Sequence, residues 1–274
     1  MNPIPPLNAA ALLRQHGLRP EKSLGQNFLQ NASALEKIAA AAEIQADDSV
    51  LEIGPGLGSL TRYLAAAAKT VTAVELDLSL IPVLETVLAP YHNTRIIHGD
   101  ILHFPPAALI DTPAYIVAAN VPYYITSAIF RHLLENTPRP RRIVLTIQKE
   151  VAERICAAPG DMSLLALSIQ VYGEPKIVST IPAGAFYPPP KVDSAIIRVE
   201  MYPQPLIPTP QLNTFFRLAK AGFSQKRKTL RNSLSAGLAI PATQAAQMLE
   251  KANIDPMRRA ETLSLDEWGA LCQG

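Results

Sequence analysis

Short apolar runs that alternate with helical patterns between residues 50 and 147 constrain the fold of this chain more than any other feature. The apolar runs are 50–53, 71–75, 94–98, 115–119 and 142–147. The segments between them carry apolar residues at helical spacing, as Leu60 and Leu64 do after the first run. Strands that alternate with helices predict right-handed βαβ units and a parallel sheet covered on both faces.

The pattern changes after residue 148. Two β-like runs, 176–181 and 194–201, predict an antiparallel pair at the sheet edge. The proline-rich segment 203–210 is typical of a stiff linker, and four helical patterns follow it, at 211–221, 226–236, 242–252 and 265–271. Near the start of the chain, residues 23–29 are predicted to form a loop. We therefore predict a Rossmann-like α/β domain over residues 1–202, with an N-terminal arm and loop at 1–30, and a small all-α domain over residues 203–274.

Composition excludes several classes of protein. With 274 residues, 48% of them hydrophobic, the chain can bury a sizeable core. Two distant cysteines and five histidines without ligand spacing predict neither a disulfide framework nor a metal site. We expect no export signal and no membrane span, and hence a cytoplasmic protein. Nine basic and five acidic residues in 203–274 permit a polyanionic partner.

A glycine-rich turn follows the first strand. Glycines stand at 54, 56 and 58, directly after Glu52 and Ile53. A dinucleotide-binding fingerprint would need its third glycine at position 59 or 61, where the chain has Ser59 and Thr61. The turn is therefore either a different nucleoside-binding loop or a turn needed only for tight packing.

Polar side chains close the next three strands. Glu75 could accept hydrogen bonds from ribose hydroxyls, and Asp100 from an adenine amino group, although either acid alone is more commonly a cap or solvated. Asn120 ends the fourth strand, and Pro122 and Tyr123 follow it. An amide oxygen, a fixed carbonyl and a flat aromatic face are the groups needed to hold a planar exocyclic amine.

Six motifs in this order resemble the ribosomal RNA adenine dimethyltransferases, and among them the bacterial small-subunit enzymes. The motifs lie at 25–29 (GQNFL), 52–58 (EIGPGLG), 120–123 (NVPY), 148–152 (QKEVA), 186–194 (FYPPPKVDS) and 226–234 (KRKTLRNSL). The resemblance implies a class I methyltransferase fold, S-adenosylmethionine (SAM) as methyl donor, and dimethylation at N6 of two adjacent adenosines in a hairpin loop near the 3′ end of 16S rRNA. It also implies a role in small-subunit biogenesis, and we expect a monomer.

The resemblance assigns roles to individual residues. The implied cofactor-binding residues are Asn27, Leu29, Gly54, Gly56, Glu75, Asp100 and Asn120. The implied base site consists of Asn120, Pro122 and Tyr123, with Phe186 as a second aromatic wall.

Two groups of basic residues are candidates for binding RNA phosphates. One is Arg217, Lys220, Lys226, Arg227, Lys228 and Arg231, and the other is Arg139, Arg141 and Arg142. A solvated helix face is the ordinary alternative for such a charge run.

Two segments depart from the family pattern. Tyr124 stands where a polar residue is usual, directly beside the base site, and the segment after Gly160 lacks a usual Tyr-Gly pair. Two rival functions stay open. The large-subunit adenine dimethyltransferases share the base site, and a ribosome-assembly factor without turnover would bind the same RNA.

Overall fold

The computed structural model describes residues 4–273, which contain nine β-strands and twelve α-helices. As far as residue 148 these are α1 (Ala9–Gln15), β1 (Phe28–Leu29), α2 (Ala32–Ala42), β2 (Ser49–Ile53), α3 (Ser59–Ala65), β3 (Thr70–Glu75), α4 (Ile81–Leu88), β4 (Thr94–His98), α5 (Pro106–Leu109), β5 (Tyr115–Asn120), α6 (Thr126–Glu135) and β6 (Arg142–Gln148). The rest are α7 (Lys149–Ile155), α8 (Leu164–Gln170), β7 (Gly173–Ile181), β8 (Phe186–Tyr187), β9 (Ser194–Met201), α9 (Leu212–Gly222), α10 (Leu230–Leu238), α11 (Ala242–Lys251) and α12 (Leu265–Leu271).

Seven strands form the main sheet in the order β4-β3-β2-β5-β6-β9-β7. The first five pair in parallel, and β9 runs antiparallel to β6, with Ile143 opposite Val199. The predicted α/β fold with a mainly parallel sheet and an antiparallel edge is confirmed. The order of β2 to β5 brings the carboxyl ends of four predicted strands to one edge.

The sheet core explains why these strands read as continuous apolar runs. Residues 115–119 of β5 have no exposed surface, because parallel strands are covered on both faces. One core cluster joins Ile38 of α2 and Leu64 of α3 to Ile116 and Val144 of the sheet. A second cluster packs Leu13 of α1 with Phe28 of β1, with Leu57 and with Val83 of α4.

Two local elements differ from the sequence predictions. The predicted loop 23–29 contains β1, which pairs antiparallel with β8, and a two-residue strand has no periodicity that a sequence pattern could reveal. The helix predicted to start at Lys226 begins at Leu230, and the backbone N–H of Lys228 donates instead to the Gln225 carbonyl in a turn. Three cations in the first turn of a helix would oppose its dipole, which favours the later start.

The chain divides into two compact units. The sheet unit comprises residues up to Ala152 and Lys176–Met201, and the helical unit comprises Glu153–Pro175 and the residues from Tyr202 on. The sequence predicted only the boundary near residue 202. Within the helical unit the Gly160 N–H donates to the Glu261 carbonyl at 2.8 Å, a contact between distant segments that sequence patterns do not reveal. No helix between residues 4 and 273 is long and apolar enough to cross a membrane.

Candidate active site

A cavity in the sheet unit lies at the carboxyl ends of β2, β3, β4 and β5, where parallel α/β folds bind ligands. The loop before β1 closes one side of it. All of the predicted cofactor residues and most of the predicted base-site residues line this cavity. They are Asn27, Leu29, Gly54, Gly56, Glu75, Asp100, Asn120, Pro122 and Tyr123.

The glycine turn is held in a conformation that other residues rarely adopt. Gly54, Gly56 and Gly58 have φ values of 66°, 60° and 81°. A Cβ atom on Gly56 would lie 3.0 Å from the Phe28 ring. The Gly56 N–H donates to Glu75 Oε2 at 2.9 Å, so the turn after β2 is bound to the end of β3.

Glu75 is fixed by backbone donors. Its second oxygen, Oε1, accepts from the Asp77 N–H at 2.8 Å. Burial raises the pKa of Glu75, and the two backbone N–H groups offset part of that rise. Each carboxylate oxygen has more than one acceptor site, so the side chain can still accept hydrogen bonds from a diol in the cavity.

Glu52 is a polar group of the cavity that the sequence indicated only as the acid before the glycines. The residue is 1% exposed, and its Oε2 atom has no hydrogen-bond partner among residues 4–273. Burial, with a smaller contribution from Glu75, raises the pKa of Glu52 to about 8. The carboxyl group is therefore mainly protonated at pH 7 and can donate a hydrogen bond into the cavity.

The amide of Asn120 is oriented by the N-terminal loop. Its Nδ2 donates to the Asn27 carbonyl at 3.0 Å, and Asn27 Nδ2 in turn donates to the Gly25 carbonyl at 3.1 Å. Because the amino end of the Asn120 amide is bound to the loop, the Oδ1 end is presented as an acceptor at the cavity. The sequence predicted both asparagines but not the bond between them.

Pro122 and Tyr123 are placed beside that acceptor. The Pro122 carbonyl accepts a long hydrogen bond, 3.3 Å, from the Ile125 N–H, which leaves its second lone pair available. The Tyr123 hydroxyl lies 2.6 Å from Ser194 Oγ on β9. Burial raises the pKa of Tyr123, so its phenol stays neutral. The hydrogen bond to the buried Ser194 fixes the position of the ring.

The loop that covers the cavity is also tied to β3. Gln26 Nε2 donates to Asp77 Oδ2 at 2.6 Å. Sequence reasoning missed Gln26, Asp77 and Ser194 as supporting residues. The first and last belong to motifs that the sequence identified, but their partners lie 51 and 71 residues away in the chain.

The structure does not bring Phe186 to the cavity, which corrects the sequence prediction of a second aromatic wall. Phe186 is 2% exposed and lies opposite Leu29 in the β1–β8 pair. Its ring belongs to the core cluster that includes Leu35 and Ile38. Strand pairing therefore directs this side chain into the core.

The basic group at residues 139–142 is also corrected by the structure. Arg142 is 6% exposed and donates to Glu200 and to the Ala42 carbonyl, each at 2.7 Å. Arg141 pairs with Asp48 at 2.6 Å, and Arg139 Nε donates to the Leu134 carbonyl at 2.7 Å. All three arginines are engaged within the sheet unit, and Arg142 is buried, so the structure does not support a phosphate-binding role for this group.

The basic group of the helical unit is placed differently. Arg217, Lys220, Lys226, Arg227 and Lys228 are exposed, and Arg231 is half-buried. None of the six forms an ion pair within residues 4–273. Over the same residues, no group of three or more His, Cys, Asp or Glu side chains is arranged to hold a metal ion.

Sequence comparisons place the chain among rRNA-modifying enzymes. The ribosomal RNA adenine dimethylase family matches residues 17–270. The chain is 46% identical over 265 residues to the ribosomal RNA small subunit methyltransferase A of Dehalococcoides mccartyi strain 195, covering 96% of this chain and 91% of that protein. It is 42% identical over 277 residues to the protein of the same name from Moorella thermoacetica, covering 97% and 96%.

Solved structures agree with this placement. A dimethyladenosine transferase from Plasmodium falciparum is 28% identical, with a TM-score of 0.77, and the match covers 89% of this chain and 95% of that one. The 23S rRNA methyltransferase ErmE is also 28% identical, with a TM-score of 0.72 and coverage of 90% and 98%. Matched over nearly its whole length, the chain belongs to the ribosomal RNA adenine dimethylase family of methyltransferases.

Proposed function

We propose that this protein uses SAM to dimethylate N6 of two adjacent adenosines in a hairpin loop near the 3′ end of 16S rRNA. The relatives with 40–47% identity are named as small-subunit methyltransferases, which supports the small subunit as the source of the substrate. In the cell the protein would act in the cytoplasm, as a monomer, during small-subunit biogenesis.

The cavity residues fit SAM as cofactor. A nucleoside diol needs acceptors, which Glu75 supplies, and an adenine amino group needs an acceptor such as Asp100, whose Oδ1 also accepts from the Leu102 N–H at 2.9 Å. The orphaned Oε2 of Glu52 is a buried polar atom beside the glycine turn, where a polar ligand would satisfy it. When bound, SAM supplies an electrophilic methyl group on a sulfonium.

The observation that carries the proposal is the orientation of the Asn120 amide. Its nitrogen is bound to the Asn27 carbonyl, so its oxygen is the end available to a substrate. An adenine N6 amine has two hydrogens to donate. Asn120 Oδ1 and the Pro122 carbonyl are the two acceptors, and the ring of Tyr123 is the stacking surface for the base.

Holding the adenine amine between two acceptors would make it a better nucleophile. The N6 lone pair is delocalised into the adenine ring, so the amine is a poor nucleophile until its hydrogens are directed and its lone pair is aimed. Positioning of this kind can lower the activation free energy by up to roughly 7–11 kcal/mol. Transfer would replace the methyl C–S bond of the sulfonium with the new N–C bond, and the thioether S-adenosylhomocysteine would leave with the electron pair of the broken bond. The methylated amine would be acidic, so its proton could pass to water without a general base.

The target must leave its stack to reach the cavity. Specific RNA readers favour unpaired loop bases that can be splayed out and stacked on aromatic rings. Phosphate contacts would come from the cations of the helical unit, which are the exposed Arg217, Lys220, Lys226, Arg227 and Lys228 and the half-buried Arg231. The buried Arg142 and its neighbours are not part of this surface.

Methylation mapping tests the proposal. The protein is incubated with isotopically labelled SAM and unmethylated small subunits, and the modified bases are located by mass spectrometry. We expect dimethyladenosine at two neighbouring positions of one hairpin loop. Parallel reactions with 23S rRNA test the rival raised by the structural likeness to ErmE.

Each other outcome identifies a different function. Label in 23S rRNA alone would replace the proposal with a large-subunit activity. SAM binding without transfer to either RNA, or no SAM binding at all, would favour an assembly factor that only occupies the site.

A further inference from the structure

Tyr124 is an exposed aromatic residue at the cavity that the reaction described above does not use. Its side chain is 61% exposed, yet it is among the residues that line the cavity. Every other Phe, Tyr or Trp within residues 4–273 is less exposed. Single exposed apolar residues are ordinary on protein surfaces, so its position and its support decide what it can do.

The ring of Tyr124 packs against the backbone of Gly25. A Cβ atom on Gly25 would lie 3.2 Å from Tyr124 Cε1 and 3.3 Å from Pro122 Cβ. Gly25 has a φ of 64°, a left-handed conformation that glycine adopts without strain. One side of the ring is therefore packed against a side-chain-free position, and the rest faces solvent beside Pro122 and Tyr123.

The two adjacent tyrosines differ in a way that separates their roles. Tyr123 is half-buried, and its hydroxyl is bound to Ser194, so its ring belongs to the cavity interior. Tyr124 has no hydrogen bond from its hydroxyl to another described residue and presents its ring outside that interior. A target base that stacks on Tyr123 would bring its neighbours in the RNA strand toward the rim that Tyr124 forms.

We propose that Tyr124 is a stacking platform for an unpaired base next to the target adenosine. Every base has a flat π face, and an aromatic ring that is already fixed can stack on it with little loss of freedom. The proposal rests on the proposed function, because it needs a single-stranded RNA substrate with a second base adjacent to the target. It makes Tyr124 a determinant of substrate binding and gives it no part in methyl transfer.

Steady-state methylation of unmethylated small subunits tests the proposal with three variants. Tyr124→Leu keeps apolar bulk but removes the π face, and Tyr124→Phe keeps the ring. Leu78→Ala is the matched control, because Leu78 is 64% exposed, follows Asp77, which is bonded to Gln26 of the N-terminal loop, and does not line the cavity. SAM affinity is measured for each variant by calorimetry.

We expect Tyr124→Leu to raise KM for subunits by roughly tenfold, a value within the range measured for removing one base–aromatic stack, with kcat changed less than about twofold. Tyr124→Phe should restore the original KM, and Leu78→Ala should leave it unchanged. An unchanged KM in Tyr124→Leu would overturn the proposal. So would a parallel loss of SAM affinity, since that would show that the ring only supports the Gly25 loop.

Failure of the proposed function gives a different result. If the unaltered protein transfers no methyl group to small subunits, the assigned substrate is wrong. If it does transfer methyl groups and all three variants match it, only the role of Tyr124 is wrong.

Discussion

The two groups of basic residues look equivalent in the sequence, and the structure gives them opposite roles. Arg142 is buried and bonded to Glu200, Glu43 and a backbone carbonyl. Lys226, Arg227 and Lys228 are exposed and unpaired within the described residues. A run of cations in a sequence therefore indicates a nucleic-acid surface only once its intramolecular partners are known.

Arg142 gives the largest expected effect on stability. Removing it in Arg142→Ala leaves the Ala42 carbonyl without this donor and leaves Arg198 as the remaining partner of Glu43 and Glu200, which should lower the free energy of unfolding by about 2 kcal/mol. Urea unfolding measures the loss. Arg141→Ala is the matched control and should cost about 1 kcal/mol or less, because its pair with Asp48 is partly exposed.

The structural role of Arg142 would be wrong if Arg142→Ala unfolded at the original urea concentration and bound rRNA weakly. That result would return Arg142 to the RNA-binding group predicted from the sequence.

Charge reversal in the helical unit gives the next effect. The double variant Arg227→Glu, Lys228→Glu should weaken rRNA binding roughly tenfold or more and reduce the slope of log K against log salt by about 1 to 2. Its stability should not change, since neither side chain forms an ion pair with any residue that the structure describes. The measurement is a filter-binding titration at several salt concentrations.

A control variant keeps the change in net charge the same. Lys69→Glu, Lys176→Glu alters two exposed lysines of the sheet unit that do not line the cavity. An equal loss of affinity and slope in this control would mean that only net charge matters, and the exposed group would lose its assignment as a binding surface.

The smallest expected effect is the pH dependence of the ion-pair network around Arg142. Hydrogen bonds from Arg198, with the charge of Arg142, lower the pKa of Glu43. Partial burial alone would raise the pKa of Glu200, but Arg142 and Arg198 together lower it. A carboxyl group with a lowered pKa stabilises the fold above its unfolded pKa, and that contribution is lost as pH falls through the folded value.

Glu200→Gln tests this dependence. The original protein should be more stable than the variant at pH 7, and the difference should shrink toward zero as pH falls below the usual carboxyl range. Urea midpoints between pH 7 and pH 3 measure it, with Glu85→Gln on the exposed side of α4 as control. A stability difference that is independent of pH would show that Glu200 contributes only packing.

The sequence predicted the sheet and one wall of the site because both follow from local patterns. The strand ends at Glu75, Asp100 and Asn120 share one edge whenever the strands are parallel. Their proximity could therefore be predicted without knowing how the side chains pack. The surroundings of Phe186 and Arg142 depend instead on contacts between distant segments. Phe186 is placed by the pairing of β1 with β8, and Arg142 by the packing of α2 against β6 and β9. Those pairings direct one side chain into the core and the other into an ion-pair network, and neither has a local signature.

The supporting bonds of the site were hidden for the same reason. The sequence identified Asn27 and Asn120 separately, but only the folded chain shows that the first orients the amide of the second. Tyr124 was visible in the sequence as a departure beside the base site. Only the structure shows that its side chain is exposed and that its ring packs against Gly25.

We propose that the Asn120 amide positions adenine N6 for methyl transfer. The single-turnover transfer rate of Asn120→Ala at saturating SAM and small subunits, with rRNA affinity measured in parallel, tests this role. We expect the rate to fall by at least roughly a hundredfold, as when one preorganised polar group is removed, and rRNA affinity to change less than about threefold. An Asn120→Ala enzyme that still transfers methyl groups at a comparable rate would contradict it.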